Sequence, residues 1–145
     1  MSGWQAAILS AGLARLDEQT ARRMGNARRL RSFLDEIDGL TPQVWDSRCD
    51  SHAHHLFLMR YDADRFAGLP REKFVEALRA EGVPASTGYA RPLYHQPPLQ
   101  PPHSRVLPCP VSEQLCSETV WLPQNLLLAE PGEMATPGRP LLTLF

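Results

Sequence analysis

Residues 55–87 read HLFLMRYDADRFAGLPREKFVEALRAEGVPAST, and this stretch decides the fold class. Residues 55–61 are dense in apolar and aromatic side chains with partial alternation, which predicts a strand. Leu69-Pro70 then begins a helix that Gly82 ends. Residues 83–87 predict a second strand. A strand, a helix and a strand in this order indicate an α+β or α/β layer, with a helix packed on a small antiparallel or mixed sheet.

The N-terminal region predicts helix over residues 2–37, as one long helix or as two consecutive ones. Apolar residues recur there three and four positions apart, and arginines fill much of the opposite side. Asp38-Gly39 ends the pattern, because glycine suits the left-handed cap of a helix. A helix this long is more than one small domain needs. We therefore expect it to be a connecting helix that also packs on something outside this chain.

The remaining segments predict short elements separated by irregular chain. A short strand is predicted near residues 43–45, and a short helix over residues 110–119 leads into a strand at residues 120–123. Residues 92–110 contain seven prolines, a density at which no regular element survives. Such a long irregular loop is either functional or disordered.

The domain organisation predicted from these patterns has three parts. Residues 1–38 form a connecting helix region, residues 39–134 form one small domain, and residues 135–145 form an irregular tail. A chain of 145 residues, 43% of them hydrophobic, is long enough for one domain with a real core.

Charge and cysteine content argue against several classes of protein. The 15 basic and 16 acidic residues nearly cancel, so the basic footprint of a nucleic-acid-binding protein is missing. Three cysteines without a tight pair argue against a disulfide framework and favour a reducing cytoplasm. The apolar run near the N-terminus has no cationic leader and is too short to span a membrane. We expect neither a nucleic-acid partner nor a membrane partner.

Several short motifs occur in the order and at the spacing of one enzyme family. They are Met1-Ser-Gly-Trp-Gln-Ala-Ala-Ile-Leu9, Gly12-Leu-Ala-Arg-Leu-Asp17, His55-Leu-Phe57, Gly82-Val-Pro-Ala-Ser-Thr-Gly-Tyr89, Arg91-Pro-Leu-Tyr-His-Gln-Pro97, Cys109-Pro-Val-Ser-Glu-Gln-Leu-Cys116 and Trp121-Leu-Pro123. Together they resemble the C-terminal, small-domain part of the DegT/DnrJ/StrS aminotransferases over residues 1 to about 134. The resemblance rests on their combination rather than on any single motif.

This resemblance implies an α+β fold, the small domain of a fold-type I enzyme that uses pyridoxal 5′-phosphate. Such an enzyme, a homodimer, transfers an amino group from glutamine or glutamate to a keto sugar or keto cyclitol, in antibiotic or surface-sugar biosynthesis. Its cofactor forms a Schiff base with a lysine of the large domain. The resemblance does not include that domain, and no residue of this chain matches that lysine. We therefore expect this chain alone to hold no cofactor and to be inactive.

Two alternatives from other classes remain open. In the first, the chain is a non-catalytic remnant that only dimerises. In the second, it is a fragment of a pyridoxal phosphate-dependent sugar dehydratase of the same family. In such a dehydratase, histidine replaces the Schiff-base lysine.

The candidate substrate-binding residues are Tyr89, Tyr94 and His95. They lie in the proline-stiffened loop and offer hydrogen bonds and stacking to a polyhydroxylated ring. Simple packing against the sheet is the alternative for each. Lys73 is the only lysine of the chain. We expect it to be a solvated helix residue beside Glu72, because a Schiff-base lysine needs a buried pocket.

Histidines and cysteines raise two metal hypotheses. The two candidate sets are His52, His54 and His55, and His95, His103, Cys109 and Cys116. The first lacks a carboxylate or cysteine at a recognisable spacing, and the second has no standard zinc spacing. We expect loop histidines and a buried helix cysteine instead of a metal site.

Overall fold

A computed structural model describes residues 1–99 and 105–130 of the chain, and its fold class is α+β as predicted. In chain order, the helices and strands are α1 Gly3–Leu13, α2 Leu16–Leu34, β1 Leu40–Pro42, β2 Leu56–Tyr61, α3 Arg71–Ala80, α4 Pro110–Glu118 and β3 Thr119–Pro123. The predicted tail, residues 135–145, lies outside the described residues. Within the described ranges, no helix combines the length and the apolar character needed to cross a membrane.

The N-terminal region consists of two helices, which confirms the second form of the prediction. A turn separates them, in which the Arg15 N–H donates to the Gly12 carbonyl oxygen at 3.1 Å. α1 carries no charged side chain and buries none of its residues. α2, in contrast, buries Ala27, Leu30 and Leu34. The core of the described chain therefore begins at α2.

The sheet has three antiparallel strands in the order β1-β2-β3. Because successive residues of a strand point to opposite faces, one face collects the large apolar side chains. The buried residues on this face are Leu40, Phe57, Met59, Tyr61, Val120 and Leu122. In the register of the sheet, Leu40 lies opposite Tyr61, and Phe57 lies opposite Leu122. The buried side chains of the three strands thus fall side by side.

Two helices and a turn complete the core beneath this sheet face. α3 contributes Phe74, whose ring centroid lies 4.5 Å from that of Tyr61. α2 is joined to the turn after β3 by Asn26, whose Nδ2 donates to the carbonyl oxygens of Leu127 at 2.9 Å and Ala129 at 2.8 Å. Both bonds satisfy a buried side-chain amide, which would otherwise oppose burial.

Arg71 fixes α4 to the start of α3. Its Nη1 donates to the carbonyl oxygens of Cys116 at 2.6 Å and Thr119 at 3.3 Å. These carbonyls lie at the C-terminal end of α4, where helical partners are missing. The contact positions α4 over the loop that carries the candidate site residues.

The short strand predicted near residues 43–45 lies earlier, at Leu40–Pro42. Leu40 and Pro42 are buried, whereas Val44 is 76% exposed. The β1 side of the ladder ends with a single bond from the Gln43 N–H to the Leu58 carbonyl at 2.9 Å. The strand lies where alternate residues are buried. The apolar Val44-Trp45 pair led the sequence prediction to place it too late in the chain.

The strand predicted over residues 83–87 is wrong as a regular element. Only Ser86 pairs with β3, through two bonds with Trp121 at 2.9 and 2.7 Å. Pro84 has no N–H to donate, so a ladder cannot extend back through it. The segment is therefore a single bridge that fixes the start of the following loop.

The proline-rich stretch has no α-helix or strand between residue 92 and α4 among its described residues. It contains two short 3₁₀ turns, Leu93–His95 and Pro97–Leu99. α4 begins at Pro110, where a proline at the first helical position is favoured. The predicted helix and irregular loop are both confirmed for the described part of this stretch.

Candidate functional site

The loop after α3 is held against β3 at Gly88. Gly88 has a φ of 65°, and a Cβ built there would lie 2.2 Å from the Trp121 ring. Both the left-handed backbone and the close approach require glycine. Together with the bridge at Ser86, this contact fixes the direction in which the next residues leave the sheet.

Tyr89 lies on the outer side of this contact. Its ring meets the Trp121 ring edge-on, with centroids 5.1 Å apart. The side chain is nevertheless 72% exposed. Tyr89 therefore presents most of an aromatic surface to its surroundings while one edge is held in place.

Tyr94 is tied to α4. Its Oη donates to Oε1 of Glu113 at 2.9 Å and lies 3.4 Å from the Cys109 carbonyl oxygen. Burial, together with the hydrogen bond and charge of Glu113, raises the pKa of Tyr94 to about 12. The phenol is thus neutral at physiological pH, and its position depends on a carboxylate from another element.

His95 is exposed and packs edge-on against Tyr94, with ring centroids 4.6 Å apart. It lines an open recess of about 630 Å³ between the loop and α4. Arg91, Glu113 and Cys116 line the same recess. A recess of this kind offers charged, imidazole and thiol groups to a polar ligand.

The structure brings two of the three predicted site residues together. Tyr94 and His95 share the α4 side of the loop, and Tyr89 lies against Trp121. Of the three residues, only His95 lines the recess. Sequence reasoning missed Glu113 and Trp121. Their positions became relevant only through contacts across 19 and 32 residues of chain, for which the sequence carries no local signal.

The first metal hypothesis concerned the histidines before β2. His54 is buried and its N–H donates to Nδ1 of His52 at 3.0 Å, whereas His55 is exposed. Burial, the neighbouring His52 and the Arg23 cation lower the pKa of His54 to about 4. Within the described ranges, no three histidine, cysteine or acidic side chains are arranged to hold a metal ion.

The second metal hypothesis involved His95, Cys109 and Cys116, together with His103, which lies outside the described residues. Cys109 Sγ lies 3.4 Å from the Leu107 carbonyl oxygen, and both cysteines are partly buried free thiols.

Lys73 does not fit the role of a Schiff-base lysine. It lies on the exposed side of α3, with its Nζ 2.7 Å from Oε2 of Glu76. This hydrogen bond and charge raise the pKa of Lys73, whereas a nucleophilic lysine needs a lowered one. Lys73 therefore has neither the buried surroundings nor the lowered pKa of a Schiff-base lysine.

The whole-chain comparison decides the family. The model of the DegT/DnrJ/EryC1/StrS aminotransferase family matches residues 1–131. The chain belongs to this family. The crystal structure of 3-amino-5-hydroxybenzoic acid synthase superimposes on 90% of the chain, with a TM-score of 0.73 and 31% sequence identity. The α+β fold of the chain is that of the small domain of fold-type I pyridoxal phosphate enzymes. The chain covers 35% of that synthase.

Curated relatives of this family show the same partial coverage. The 3-amino-5-hydroxybenzoate synthase of Amycolatopsis mediterranei is 31% identical over 92% of this chain and 36% of its own length. The L-glutamine:2-deoxy-scyllo-inosose aminotransferase of Streptoalloteichus tenebrarius is 42% identical over 72% of this chain and 24% of its own length. The chain thus spans about a third or less of the relatives that it matches.

Proposed function

We propose that this chain is the C-terminal, small-domain portion of a pyridoxal phosphate-dependent aminotransferase that acts on a keto sugar or keto cyclitol. The observation that carries the proposal is its 42% identity to the inosose aminotransferase of S. tenebrarius. In this proposal glutamine or glutamate donates the amino group, and the parent enzyme is a cytoplasmic homodimer. Residues 1–38 connect to the rest of that enzyme, and residues 39–134 form its small domain.

The loop after α3 supplies the substrate side of the proposed site. Tyr94 offers a neutral phenol whose orientation Glu113 maintains, and His95 adds an imidazole at the edge of the open recess. Aromatic faces with a few fixed polar groups suit a hydroxylated ring, because the faces exclude water and the polar groups set orientation. Tyr89 borders the same loop from the side of Trp121.

The cofactor side of the proposed site is contributed by the remainder of the enzyme. Pyridoxal phosphate, when bound, supplies the electron sink for exchange of the amino group. Because Lys73 is exposed and paired with Glu76, this chain contributes binding and orientation of the acceptor and not the attachment of the cofactor. The chain is accordingly inactive alone.

A chimera tests this function. The segment of this chain that matches the S. tenebrarius enzyme replaces the corresponding segment of that enzyme. We expect the chimera to retain its cofactor and to transfer an amino group from glutamine to 2-deoxy-scyllo-inosose. A folded chimera that retains the cofactor but shows no amino transfer to this or any other keto cyclitol or keto sugar would contradict the proposal.

Substitutions in the same chimera test the loop. Tyr94→Phe and His95→Ala should raise the KM for the acceptor or lower kcat about tenfold, the effect of one lost hydrogen bond, without loss of cofactor. Val111→Ala, on the exposed side of α4, is the matched control and should change neither. Loss of the cofactor with unchanged acceptor kinetics would contradict this, because it would show that the loop borders the cofactor and not the acceptor.

A further inference from the structure

The open recess between the loop and α4 holds two opposite charges that do not neutralise each other. Arg91 and Glu113 both line it. None of the ion pairs in the described ranges includes either side chain. A recess with a separate cation and a separate anion on its wall favours a ligand that carries complementary groups for both.

Arg91 has an exposed side chain on a restrained backbone. Three residues earlier, Gly88 is packed closely against the Trp121 ring. Pro92 follows Arg91 directly, and a residue before a proline is restricted to extended backbone. The planar guanidinium can bind a carboxylate through two parallel hydrogen bonds. Arg91 therefore supplies the recess with a group suited to a carboxylate.

Glu113 enters the recess from the opposite element. It lies in the first turn of α4, the helix whose other end Arg71 fixes. Its Oε1 accepts from Oη of Tyr94 at 2.9 Å. Within the described ranges no other hydrogen bond reaches this carboxylate, so Oε2 can accept from a ligand. A carboxylate oxygen accepts N–H donors and is unfavourable beside a second carboxylate.

The proposed function supplies two ligands for this recess, and the inference that follows rests on it. The donor and the acceptor of an aminotransferase exchange one amino group at one cofactor, so they occupy the same site in turn. The ring of a keto sugar or keto cyclitol offers hydroxyl groups and no carboxylate for Arg91. Glutamine and glutamate both carry an α-carboxylate. They differ at the end of the side chain, where glutamine has an amide and glutamate a second carboxylate.

We propose that this recess receives the amino donor and selects glutamine over glutamate. Arg91 binds the α-carboxylate, and Oε2 of Glu113 accepts from the side-chain amide. Glutamate is disfavoured because its second carboxylate would face Glu113. The recess of about 630 Å³ lies within the range of about 300–1,000 Å³ that small-molecule sites occupy, so it has room for an amino acid.

Donor selectivity tests the role of Glu113 in the chimera described above, with an exchanged segment that includes residues 86–123. The unsubstituted chimera should have a higher kcat/KM for glutamine than for glutamate. Glu113→Gln should reduce this preference about tenfold, because it removes the like charge that opposes glutamate. The amide oxygen can still accept from Tyr94. Glu118→Gln is the matched control, because Glu118 lies on the same helix but pairs with Arg60, and it should leave the preference unchanged.

The donor half of the reaction tests the role of Arg91. Mixing the chimera with donor alone and following the absorbance of the bound cofactor measures this half without the acceptor. Arg91→Met should raise the concentration needed for half-maximal rate about tenfold or more for glutamine and glutamate alike, the effect of a lost charge-assisted hydrogen bond. The KM for the acceptor should not change. Arg105→Met, at an exposed position of the same segment that does not line the recess, should change neither value.

The outcomes separate this proposal from the proposed function. A folded chimera that retains the cofactor but transfers no amino group would contradict the proposed function itself. In an active chimera, a preference for glutamate, or an equal preference for glutamine before and after Glu113→Gln, would overturn the proposal. If Glu113→Gln does not fold, Arg91→Met still decides, because unchanged donor kinetics in that variant would also overturn it.

Discussion

At the scale of single residues, His54 shows how burial sets a charge state. Its pKa is lowered to about 4 by burial, by His52 and by Arg23, whereas an unfolded histidine titrates near 6.5. The folded chain therefore binds fewer protons than the unfolded chain between these values. The free energy of unfolding is therefore highest, as far as His54 determines it, above pH 6.5. It falls as the pH is lowered towards 4, because the unfolded chain then binds a proton that the folded chain does not.

We predict that His54→Asn flattens this part of the pH profile of stability. In chloride without carboxylate buffers, the free energy of unfolding of the wild-type chain should fall by up to about 3 kcal/mol more than that of the variant between pH 6.5 and 4. Urea unfolding at several pH values measures both profiles. Parallel profiles over this range would show that His54 titrates normally in the folded chain.

The candidate site was predictable from sequence only in part, and its residues show why. The proline-rich loop marked where Tyr94 and His95 lie, because prolines and aromatics are visible in the sequence. The Tyr94–Glu113 hydrogen bond depends instead on how Arg71 fixes α4. No local pattern encodes a contact of that kind, and the binding role of these residues stays a prediction.

At the scale of elements, the two N-terminal helices differ in what they contribute to the fold. α2 buries Leu30 completely, whereas α1 buries none of its residues and leaves Ile8 61% exposed. Deleting a fully buried leucine side chain removes apolar contacts and leaves a cavity. Deleting an exposed one changes little.

We therefore predict opposite outcomes for two similar substitutions. Leu30→Ala should lower the free energy of unfolding by about 2–5 kcal/mol, and Ile8→Ala by less than about 0.5 kcal/mol. Urea unfolding followed by circular dichroism measures both. A large loss for Ile8→Ala would mean that α1 belongs to the core of the isolated chain.

The strands predicted at residues 55–61 and 120–123 are confirmed as β2 and β3, whereas the two shortest predicted strands were misplaced or wrong for a physical reason. The pattern of α3 and its flanking Pro70 and Gly82 placed that helix within two residues of its observed bounds. Strand β1 is three residues long, too short for alternation to distinguish it from neighbouring apolar chain. Residues 83–87 have the pattern of an extended segment, but Pro84 has no N–H to donate to a ladder. The missing donor therefore outweighs the local preference for a strand.

At the scale of the whole molecule, α1 presents an uncovered apolar surface. Its large exposed side chains, together with the first residue of α2, are Trp4, Ile8, Leu9, Leu13 and Leu16. A helix that is apolar on all sides is normally buried. In the proposed parent enzyme, we expect the remainder of the protein to cover this surface.

We predict that the isolated chain self-associates through α1. Sedimentation at increasing concentration should show oligomers or aggregates, because exposed apolar patches of this size are uncommon on monomers. The double variant Ile8→Glu/Leu9→Glu should reduce association while circular dichroism shows an unchanged fold. A single monodisperse monomer of the wild-type chain at high concentration would contradict the prediction.

The central claim is that this chain supplies the substrate side of an aminotransferase and not the attachment point of its cofactor. Incubation with pyridoxal phosphate, removal of the free cofactor and an absorbance scan test that claim most directly. Because Lys73 is exposed, pairs with Glu76 and has a raised pKa, the scan should show no stoichiometric Schiff-base band near the visible edge. Lys73→Ala should give the same spectrum. A stoichiometric band in the wild-type chain that disappears in Lys73→Ala would contradict the claim.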